Sequence, residues 1–146
     1  MVGYRSKSRE MIFQILFGLN FVSYKIDDID EIVDNFEIEF KQNDYGIDMK
    51  FLNKEYCNEI LSGIKFNEYE IDELISKNLK KWKIERLPKT DLSILRLAIF
   101  EMCFKMLDPR IAINEAINLS KKYSGDKSPS YINGVLNSLK DVKIEG

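Results

Sequence analysis

The sequence predicts an all-α fold, and three observations predict it. Apolar residues recur at spacings of three and four along nearly all of the 146 residues. Valine is sparse and period-two alternation nearly absent, so the signature of strands is missing. Turn and cap signals, among them Asn67, Thr90-Asp91, Asp108-Pro109, Gly125 and Ser128-Pro129, separate the periodic segments. About seven helices in a single domain over residues 1–146 follow.

In order, the first helix spans about residues 7 to 24, with Met11, Ile12, Ile15, Leu16 and Leu19 as one stripe and Phe13, Phe17 and Phe21 as a second. Two apolar faces call for burial on two sides, or for a core face and a docking face. A second helix carries Ile26, Ile29, Ile32, Val33, Phe36 and Phe40, with acids on its opposite, solvated face. After a loop over 43–48, with Asp48 as an N-cap, a third helix holds Leu52, Tyr56, Ile60 and Ile64 beside Phe51 and Leu61. Asn67 with Glu70 resembles a capping box opening a fourth helix, which has Ile71, Leu74, Ile75, Leu79 and Trp82 on one side.

The fifth helix, about 90 to 107, is apolar over nearly its whole circumference and belongs at the centre of the fold, with Leu95, Ala98, Ile99 and Met102 buried. The sixth carries Ile113, Ala116, Ile117 and Ser120 and stops near Gly125, placed for a C′ position. The seventh opens with Ser128 as N-cap and Pro129 at N1, and turns Ile132, Val135, Leu136 and Leu139 inward. Gly134 inside this helix costs ~1 kcal/mol against alanine and suggests close helix–helix approach.

Composition narrows the chemistry. Histidine is absent, which removes histidine acid–base catalysis, Ser-His and Cys-His pairs and most zinc sites. The seven glycines are scattered and form no phosphate loop. Catalysis is therefore not expected, nor a cofactor or metal. No apolar run approaches the roughly 20 residues of a membrane span, and the N-terminal segment does not read as a signal peptide. Cys57 and Cys103 suggest no disulfide framework, which favours a reducing, cytoplasmic setting.

The net charge of −2 conceals a polarised chain. Residues 26–40 hold Asp27, Asp28, Asp30, Glu31, Asp34, Glu37 and Glu39 with no base. Arg5, Lys7 and Arg9 form a basic cluster at a helix start, where backbone N–H groups also favour an anion. The cluster reads equally as a phosphate site or as a solubilising terminus. A second basic stretch, Lys77 to Lys89, includes Lys80, Lys81, Lys83 and Arg86 around Trp82, which the helix dipole alone would also explain. Tyr131, near Lys127, could offer an aromatic face to a base.

The segment AINEAINLSKKYSGDKSPSYINGVLNSL is similar to the C-terminal signature of the bacterial transcription antitermination factor NusB family. RSKSREMIFQILF resembles the family's basic first helix, LSGI its third and KTDLSILRLAIFEM its central helix, so the likeness runs through essentially the whole chain. It implies a non-enzymatic protein of two packed three-helix bundles, with subdomains of approximately 1–80 and 81–146. It implies binding of boxA-type single-stranded RNA with a small-subunit ribosomal protein, NusE in that role, and assembly of an antitermination complex on RNA polymerase, notably on ribosomal RNA operons. Carried over by position, Arg5, Lys7, Arg9, Lys81, Lys127 and Tyr131 fall at or beside the RNA surface, and Phe17 and Asp91 face the protein partner. Ser6 and Ser8 replace further basic or small residues of the pattern, which thins the cluster. A helical protein–protein adaptor that does not touch RNA is the competing reading. Salt-dependent binding of a short RNA separates the two.

Overall fold

A computed structural model describes the backbone of residues 4–43, 53–80 and 83–144, and their side chains except those of 4, 5 and 40–43. Among the described residues there are seven α-helices and no strand. The expected loop over 43–48 with its Asp48 cap, and Phe51, Leu52, Lys81 and Trp82, lie outside this description, as do the side chains of Arg5 and Phe40. The chain divides into two compact units, Met1–Phe66 and Asn67–Gly146.

In the first unit, α1 (Tyr4–Leu19) buries Met11, Ile12, Phe13, Ile15 and Leu16. It starts earlier and ends earlier than its apolar pattern. The Asn20 amide turns back onto the carbonyls of Leu16 and Phe17 at 3.3 and 3.0 Å, satisfying the last turn and leaving Phe21 exposed. A single 3-10 turn, Ile26–Asp28, leads into α2 (Ile29–Asn43), whose Ile29 and Val33 are buried. The loop residue Asn53 caps α3 (Lys54–Phe66) by accepting from the Tyr56 N–H at 3.0 Å. Cys57, Ile60, Leu61 and Ile64 form the buried face of α3. The acids of α2 are mostly solvated, as expected, but Lys54 of α3 bridges Asp34 and Glu37 at 3.1 and 2.7 Å.

In the second unit, α4 (Glu68–Lys77) packs on α5 (Lys89–Ile99). Ile71 and Ile75 are fully buried, and the half-buried Arg96 holds Asp72 through two hydrogen bonds of 2.9 and 2.8 Å, with Glu68 at 3.5 Å. These contacts place α4 with the second unit, which begins at Asn67. Asn67 is the N-cap of α4, but its side chain makes no capping bond, so the anticipated capping box is not formed.

Leu95, Ala98 and Ile99 of α5 are buried, as is Met102 beyond it. The helix does not run to 107, however. It gives way to a π turn, Phe100–Phe104, in which the Lys105 N–H reaches the Phe100 carbonyl at 3.1 Å. Met106 then takes a left-handed φ of 59°, which reverses the chain before Pro109.

Asp108 caps α6 (Pro109–Tyr123), accepting from the Arg110 N–H at 2.9 Å with Pro109 at N1. Its buried stripe is Ala112, Ala116, Leu119 and Ser120, with Ile113 and Ile117 flanking it. Helix α6 ends through Ser124 in an extended conformation, and Gly125 is not left-handed. Helix α7 (Ser128–Ser138) packs on α6 through Ile132, Val135 and Leu136, with Leu139 buried just after it.

Candidate nucleic-acid interface

The start of α7 departs from the capping expected of it. Lys127 is the N-cap, Ser128 and Pro129 open the helix, and no side chain caps it. Instead the Ser128 hydroxyl donates to Asp91 Oδ2 at 3.0 Å, pinning α7 to the first turn of α5. Asp91 is only 4% exposed, and its Oδ1 has no hydrogen-bond partner among the described residues.

Tyr131 lies one turn further along α7. Its hydroxyl is buried without a hydrogen-bond partner among the described residues while the residue as a whole is half-buried, so the ring flank rather than the hydroxyl meets solvent. Burial, and then the Asp91 charge, raise the phenol above its usual pKa. Two clefts meet at this ring. One, of about 400 Å³, is lined by Arg86, Leu87, Pro88, Asp91, Lys127 and Ser128. The other, of about 340 Å³, is lined by Asn78, Lys80, Ser130, Gly134, Val135 and Ser138. Lys80, Arg86 and Lys127 are exposed. An aromatic flank bordered by exposed cations can stack a planar group while neutralising phosphates.

The expected residues divide accordingly. Lys127 and Tyr131 stand together in the second unit. Lys81 is outside the described residues, but its neighbour Lys80 is on the cleft. Lys80, Arg86 and Gly134 were not read as site residues, although the basic run from Lys77 to Lys89 was the signal for the two cations. Gly134 corrects the expectation of close helix approach, because a Cβ built there has no heavy atom within 4 Å.

In the first unit, Lys7 is exposed, whereas Arg9 is 4% exposed and engaged within the fold. Because α1 begins at Tyr4, Arg9 sits well inside the helix, on the row that continues at spacing four through Phe13 and Phe17. Phe17 is half-buried, its ring edge-on to exposed Phe21 with centroids 5.3 Å apart.

Fold and surface define a small all-helical protein that presents an aromatic side chain between exposed cations. No helix among the described residues is long and apolar enough to cross a membrane. The chain belongs to the NusB family, whose sequence model matches residues 6–141. Transcription antitermination protein NusB of Clostridium botulinum (strain Loch Maree) is 45% identical over 138 residues, covering 92% of this chain and 98% of the relative. The same-named protein of Clostridium novyi (strain NT) is 41% identical over 136 residues, covering 92% and 96%. Among solved structures, T. maritima NusB superposes with a TM-score of 0.78 at 31% identity over 98% of this chain and 94% of that one. A structure of the antitermination factors NusB and NusE in complex with dsRNA gives 0.73 at 23% identity over 96% and 98%, a likeness of fold.

Proposed function

We propose that this chain is a transcription antitermination factor that binds boxA-type single-stranded RNA together with a small-subunit ribosomal protein acting as NusE. The pair then helps assemble an antitermination complex on RNA polymerase, notably on ribosomal RNA operons. Family membership and relatives named for antitermination support the role. The structure of NusB and NusE with dsRNA, which shares the fold, supports the choice of partners. The observation that carries RNA binding is the Tyr131 flank among Lys80, Arg86 and Lys127. The role is one of binding, without catalysis, in the cytoplasm.

In this reading Lys80, Lys81 and Lys127 of the second unit contact phosphates and a base rests on Tyr131, while Arg5 and Lys7 offer the first unit's own phosphate contacts. Arg9, which the resemblance also assigns to RNA, is 4% exposed and engaged within the fold, so its share of the phosphate contacts is the smallest of the cluster. Phe17 offers the partner a half-exposed ring, and buried Asp91 acts on that face through the Ser128 it holds. Anisotropy of a labelled boxA-type RNA, with and without the ribosomal protein, tests the reading. Salt-sensitive binding that tightens with the partner is expected. Partner binding without any RNA affinity would favour the adaptor instead.

A further inference from the structure

Gly134 stands inside α7, yet a side chain there would meet open space. The glycine serves neither tight helix packing nor a left-handed turn, although alanine would suit the helix better. What its hydrogen keeps is room. Gly134 lines the cleft of about 340 Å³, together with Tyr131 one turn earlier on α7 and with Asn78 and Lys80 beyond the end of α4.

We propose that this cleft seats one unpaired nucleobase, stacked on the flank of Tyr131 with its edge lying over the bare backbone at Gly134, and with its phosphate meeting Lys80. The proposal rests on the RNA reading above and adds where a base sits and why this helix carries a glycine. The Tyr131 hydroxyl points away from solvent, so stacking is what the residue can offer. Ligand clefts run from roughly 300 to 1,000 Å³, so this one suits a single planar group rather than a duplex or a peptide helix. The Asn78 amide donates one N–H to the Leu74 carbonyl at 2.8 Å. Its carbonyl oxygen and second N–H remain for a base edge.

Gly134→Ala and Gly134→Leu test the slot. Both variants should melt at or above the wild-type temperature, because a Cβ there displaces no neighbour, the cleft leaves room beyond it and helix propensity rises. Affinity for a labelled boxA-type RNA, measured with the ribosomal protein present, should fall modestly for alanine and about tenfold or more for leucine, the scale of losing one stacked base. An abasic scan of the RNA should find one position whose base matters to the wild type and no longer matters to Gly134→Leu. A folded Gly134→Leu protein that binds like the wild type and keeps the same abasic penalty overturns the slot. So does a fall in melting temperature, since the space would then not be open. Lys127→Ala in the same assay separates the two levels: if it weakens binding while Gly134→Leu does not, the RNA surface stands and the slot fails. If Lys127→Ala and Tyr131→Ala both bind like the wild type, the RNA reading itself fails.

Discussion

Ser128 donates its hydroxyl hydrogen to Asp91 across 37 residues of sequence, at 3.0 Å, and so ties the start of α7 to the first turn of α5. Asp91 is buried, and its other oxygen has no partner among the described residues, so this bond carries much of the carboxylate's satisfaction. Ser128→Ala should cost about 1–3 kcal/mol, the penalty for leaving a buried polar group without its donor, whereas Ser128→Thr should recover most of it. Denaturant titration reads the difference, and an unchanged midpoint for the alanine variant would contradict the assignment.

The centre of α5 gives a second expectation. Leu95 is wholly buried, and Leu95→Ala should lower stability by about 2–5 kcal/mol through lost transfer energy and a residual cavity. Urea unfolding of the two proteins checks this directly.

These two sites show what the sequence discloses and what it hides. Leu95 is legible because a helix apolar on every side has nowhere to go but inside. Asp108-Pro109 is legible because capping is local chemistry between neighbours, and Asp108 does accept from the Arg110 N–H. Ser128 is not, because a hydroxyl placed to cap its own helix was taken by a carboxylate distant in sequence, and no local pattern records that competition. The burial of Arg9 is hidden for a related reason: its charge suggests solvent, while its place on the Phe13 row puts it inside. Gly134 looked like a packing glycine because periodicity gives a residue's face but not what stands opposite it. The end of α5 is hidden because Met106 extends the apolar pattern up to the Asp108-Pro109 stop, past the π turn that ends the helix. At the interface, Tyr131 and Lys127 were readable as types, but the clefts that join them to Lys80 and Arg86 depend on folding.

Cys57 makes stability depend on pH. Burial pushes its thiol up from 9.0 to about 12. The unfolded chain releases the proton near the lower value and the fold only near the higher, so its contribution is full below pH 9.0 and is lost as pH rises towards about 12. Denaturation midpoints should fall through this alkaline range, and the fall should be shallower in Cys57→Ala. At neutral pH a thiol reagent should modify Cys57 no faster than the protein opens.

For the protein partner, Phe17 is the residue to test, because Asp91→Lys would force an ammonium into a buried site and report on folding instead. Phe17→Ala should weaken the complex with the ribosomal protein by more than about 1 kcal/mol, as an aromatic anchor does. Calorimetry at matched fold stability reads the effect, and equal affinity would move the docking face elsewhere.

In the proposed complex RNA lies on the second unit, with phosphates on cations and a base on Tyr131. The most direct measurement is the affinity of boxA-type RNA against salt, in the presence of the ribosomal protein, for wild type, Lys127→Ala and Tyr131→Ala. Lys127→Ala should flatten the slope of log K against log salt by about 0.7, one lost phosphate contact on a single strand. Tyr131→Ala should lower affinity by about 1–3 kcal/mol, one lost stack, and leave the slope nearly unchanged. Identical slopes and affinities for all three folded proteins would show that RNA does not lie on this surface.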